Sequence, residues 1–109
     1  ARTEHAAAIR AAALALRGSG LDPAALHHAD TSVTLQMYLG SNHRWLDAAG
    51  WRGLRAGAAG SVFLLAVEKG SPAEFGLVAP HFEVERVFAH GEGEDGEALI
   101  RVYRVRIVE

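Results

Sequence analysis

LRAGAAGSVFLLAVEKG, residues 54–70, is the stretch that decides how this chain folds. Gly57 and Gly60 stand three apart, Arg55 precedes them, and a dense apolar run follows at once. Glycines so spaced let backbone approach a ligand closely, as a phosphate-cradling loop requires. A Walker loop, however, carries Lys and then Ser or Thr after its second glycine and leads into a helix. Here Ser61 follows Gly60 directly, and the residues beyond it are β-competent. A dinucleotide loop also opens a helix. Both nucleotide folds fail on context. The glycines read as a turn feeding a buried strand over Ser61–Glu68, with Arg55 as the one hint of a ligand.

Downstream, residues 71–80 contain two prolines and a glycine and read as a loop. Phe82–His90 and Ala98–Val108 are strand-like, and the acidic GEGEDGE of residues 91–97 lies between them. The two runs predict a β-hairpin with the acidic segment as its loop. In the last run Arg104 and Arg106 alternate with Tyr103, Val105 and Ile107. Period-2 geometry puts the arginines on one face and turns the apolar stripe to the core. Arg86 is expected to join the basic face from the partner strand.

Upstream, residues 2–17 are alanine-dominated and predict a helix, with Gly18 as its stop. Asp22-Pro23 matches an N-cap and a first-turn proline. A second helix is expected from Pro23 to about Leu39, with Leu26, Val33 and Met37 at helical spacing. Thr31–Thr34 are poor helix formers and keep a strand over 31–38 as the alternative. Trp45–Leu54 has room for a third short helix, with Asp47 as its cap. Helices first and strands after argue for an α+β fold: two or three N-terminal helices packed on a small, mostly antiparallel sheet from the C-terminal half. The 109 residues fit a single domain over 1–109, with 1–21 a linker or packing helix and 22–109 the core.

Composition narrows the function. Half the residues are hydrophobic, so a packed globule is expected. There is no cysteine, which removes disulfides and thiolate metal sites and suits a cytoplasmic protein. No apolar stretch approaches the roughly 20 residues of a membrane span, so no membrane partner is expected. Six histidines form no HExxH pattern, and His27-His28 would point about 100° apart on a helix. Neither metal nor cofactor is expected. No GxSxG elbow is present, and Glu83 and Glu85 read as a solvated strand edge. Catalytic residues are therefore not assigned, and the chain reads as a non-enzyme.

What remains is arginine. Net charge is −2, which gives no global pull on nucleic acid, yet ten of the eleven basic residues are Arg. Arg44, Arg52 and Arg55 surround Trp45 and Trp51 in the sequence, and Arg104 and Arg106 follow Tyr103 closely. Basic side chains interleaved with aromatics are what sequence-tolerant single-strand binding needs: phosphates meet Arg and bases stack on rings. The plain alternative is surface arginine paired with Glu68, Glu83 or Glu85.

The order of features resembles the N-terminal domain of ArdC-type antirestriction proteins over residues 26–108. The resemblance rests on Leu35-Gln36-Met37-Tyr38-Leu39, a Trp-bearing segment, Arg55-x-Gly57-x-x-Gly60 running into an apolar strand, and the closing Arg101-Val102-Tyr103-Arg104-Val105. The family loop usually reads Val-Arg-Lys-Gly-Glu-Lys-Gly. Arg55, Gly57 and Gly60 match it, whereas its two lysines are absent here. The resemblance implies an α+β single-stranded DNA-binding domain in a mobile-element context.

The expected function is thus a non-enzymatic binding domain for single-stranded DNA. Arg44, Arg52, Arg55, Arg104 and Arg106 would meet phosphates, Trp45, Trp51 or Tyr103 would stack on bases, and Gly57 and Gly60 would admit the strand. The alternative is a protein-interaction module or a fragment of a larger phage or plasmid protein. Two observations separate them: carboxylates paired with Arg104 and Arg106, and an apolar exposed face within residues 6–16, both favour the protein-interaction module.

Overall fold

The structure is a computed structural model. It describes residues 2–29, 31–40, 44–45, 53, 56–69, 81–91 and 98–108, with backbone alone at 2–4, 44 and 45. Helix α1 (Arg2–Arg17) is built on alanine, the residue with least to lose in a helix. Its buried face is Ile9, Ala12, Ala13 and Leu16, an i, i+3, i+4, i+7 stripe. Gly18 ends the helix as expected, its N–H donating to the Leu14 carbonyl at 3.1 Å. These four side chains belong to the main core. Read as a linker or a packing helix, this segment packs into the main core as α1.

The expected second helix over 23–39 is three separate pieces. Asp22 does cap, accepting from the Ala24 N–H at 3.0 Å, but the turn it caps is a short 3-10 helix, Pro23–Ala25. Strand β1 (Leu26–Ala29) follows, and only then helix α2 (Val33–Leu39). The alternative strand over 31–38 is overturned as well. Ser32 accepts from the Leu35 N–H at 3.3 Å, and Gly40 closes α2 in the left-handed region at φ 65°. That capping offsets the weak helix propensity of Val33 and Thr34. It also resets the buried face to Leu35, Gln36 and Leu39, leaving Val33 and Met37 exposed.

The remaining strands are β2 (Arg44–Trp45), β3 (Val62–Glu68), β4 (Phe82–His90) and β5 (Ile100–Ile107). They form one sheet in the order β2-β1-β3-β5-β4. β1 runs parallel to β2 and β3, and β5 runs antiparallel to β3 and β4. The long ladders are antiparallel and the short ones parallel, so the α+β fold with a mostly antiparallel sheet is as expected. Its source is broader than expected, because β1 and β2 come from the N-terminal half. Trp45, placed at the start of a third helix, is in β2; the rest of that segment, Gly53 apart, lies outside the described residues. The hairpin of β4 and β5 forms, from Phe82 opposite Ile107 to His90 opposite Ile100. Residues 92–97 and 70–80 lie outside the described residues.

The opening glycines are a turn. Ser61 N–H closes onto the Ala58 carbonyl at 3.1 Å, and Gly60, at φ 91°, donates to the Ile107 carbonyl at 2.7 Å. The apolar run after them is β3, the middle strand of the sheet.

Register sorts the sheet into two faces. On one, Leu26 of β1, Leu64 and Ala66 of β3, Val102 and Ile100 of β5 and Phe88 of β4 meet the buried stripes of both helices. On the other, Ala29, Phe63, Leu65, Val67, Phe82, Val105 and Ile107 form a second buried cluster with Tyr103 against it. A fully buried Leu or Val contributes about 1.5–3 kcal/mol, so both clusters matter to stability. A polar group is also buried on the helix side. Gln36 Nε2 donates to Thr31 Oγ1 at 3.2 Å, and His28 Nδ1 lies 2.9 Å from the same hydroxyl, tying β1 to α2.

Candidate functional site

The helices cover only one end of their sheet face. Beyond Val102 the same alternation continues into Arg104 and Arg106, and both are exposed. Register then fixes their neighbours. Val62, Arg106 and Glu83 stand side by side across β3, β5 and β4, and Leu64, Arg104 and Glu85 form the next row. Arg104 Nη1 donates to Glu85 Oε2 at 3.2 Å. Arg106 grips Glu83 with two donors: Nε reaches Oε2 at 3.0 Å, and Nη2 meets the same oxygen. Glu83 raises the Arg106 pKa, first through the hydrogen bond and then through its charge. Arginine is charged throughout the biological pH range in any case; here Glu83 answers that charge locally. These side chains line a shallow hollow of about 240 Å³.

The other sequence-predicted residues fall in different places. Gly60 is at this end of the sheet, bonded to the residue after Arg106, and Gly57 is exposed in the same turn region. Tyr103 is on the opposite face, half-buried against the second cluster. A base stacked on Tyr103 would therefore lie across the sheet from phosphates held by Arg104 and Arg106. Arg86, expected on the basic face, is overturned: it pairs with Tyr103 in register and shares its face. The reason is parity, since in antiparallel strands directly opposed residues point the same way. Arg44 and Trp45 form β2, in register with His27 and His28. Three strand spacings separate β2 from β5, roughly 14 Å at about 4.8 Å each. Trp51, Arg52 and Arg55 lie outside the described residues.

Glu83 and Glu85, read from the sequence as a shared strand face and as the plain alternative partners of surface arginine, are the carboxylates that Arg106 and Arg104 meet; which carboxylate meets which arginine follows from the register of β4 on β5. Glu68, the third carboxylate considered, accepts from the Ser32 N–H at 3.0 Å and helps fix the start of α2. A second, wider hollow of about 530 Å³ runs beside α1 and is lined by Ala8, Ala11, Ala89, His90 and Gly91. Among the described residues, no three His, Asp or Glu side chains cluster as a metal site would need. No helix among them is long and apolar enough to cross a membrane.

In comparison with known proteins, no family model, curated protein or solved structure matches this chain.

Proposed function

We propose that this chain is a non-enzymatic protein-interaction module. The supporting observation is the pairing of Arg104 with Glu85 and of Arg106 with Glu83. An arginine whose charge is already answered by a carboxylate attracts a phosphate less, and each phosphate contact weakened lowers affinity and flattens its salt dependence. Net charge of −2 acts in the same direction. So does the exposed apolar strip of α1, where Ala7, Ala11 and Leu14 all face outward. The absence of cysteine is ordinary for such a module working in the cytoplasm.

The test is an anisotropy titration of a labelled single-stranded oligonucleotide at low and moderate salt. No salt-sensitive binding at micromolar protein is the expected result. Binding that tightens as salt falls, and that is lost in Arg104→Ala or Arg106→Ala, would favour the single-stranded DNA reading instead. The antirestriction, mobile-element context implied by the ArdC-type resemblance stands or falls with that result.

A further inference from the structure

We draw no further inference here: the strongest candidate, the exposed apolar patch of Leu14 on α1 with Val33, Met37 and Tyr38 on α2, carries no proposal because nothing in the structure shows what covers it.

Discussion

Strand β5 shows the same face to two different surroundings. Ile100 and Val102 are fully buried under α1 and α2, whereas Arg104 and Arg106, two and four residues further along the same face, stand in solvent. The backbone alternation is identical in both halves. Helix coverage differs, and it decides what each side chain can do. Under the helices, burial of carbon stabilises the fold. Beyond them, the strand must keep a wet surface, and it does so with charges that find opposite charges on β4 one strand away. The arginine pattern that suggested phosphate binding is thus also what an uncovered end of a sheet requires.

The covered half is where substitution should do most damage. Ile100→Ala should lower stability by about 2–5 kcal/mol, read as a lower urea midpoint with little change in slope. A loss below about 1 kcal/mol would mean that the helices do not seal this end. Gly91, where β4 leaves the same end, comes next. It sits at φ 115°, and a Cβ there would lie 2.5 Å from the Leu99 Cβ. Gly91→Ala should therefore cost about 1–3 kcal/mol in the same assay. Ser32→Ala removes the cap that holds α2 over the covered half and should cost about 1 kcal/mol, most visibly as a lower Tm.

The open half should respond least. Arg104→Ala and Glu85→Gln, alone and together in a double-mutant cycle, should reveal a coupling of about 0–1 kcal/mol that fades as salt is added. A coupling that is large and insensitive to salt would show that this half is not solvated in the way its exposure implies, and would erase the contrast between the two ends.

Much of this was legible beforehand, and unevenly. The bounds of α1 follow from alanine content and Gly18, both local. The strands over 62–68, 82–90 and 100–107 follow from β-competent runs between breakers. The glycine turn was recognised because a strand and no lysine followed it. The region 23–39 was misread because Leu26, Val33 and Met37 share a helical spacing that the fold does not use. Pairing with β3 takes Leu26 into β1, and the Ser32 cap then starts α2 in a different phase. The face of Arg86 was misjudged for a related reason: an antiparallel register shifted by one residue would have put it beside Arg104.

The sequence by itself determined the α+β class, the hairpin and the opposition of Arg104 and Arg106 to Tyr103, Val105 and Ile107, because these depend on local propensity and on period-2 geometry. Only the tertiary structure decided which part of each face lies under helix and which part meets water. It also decided that Glu83 and Glu85 answer the two arginines, and that Leu14, Val33 and Met37 point outward. Coverage and register are relations between distant segments, and no local pattern encodes them.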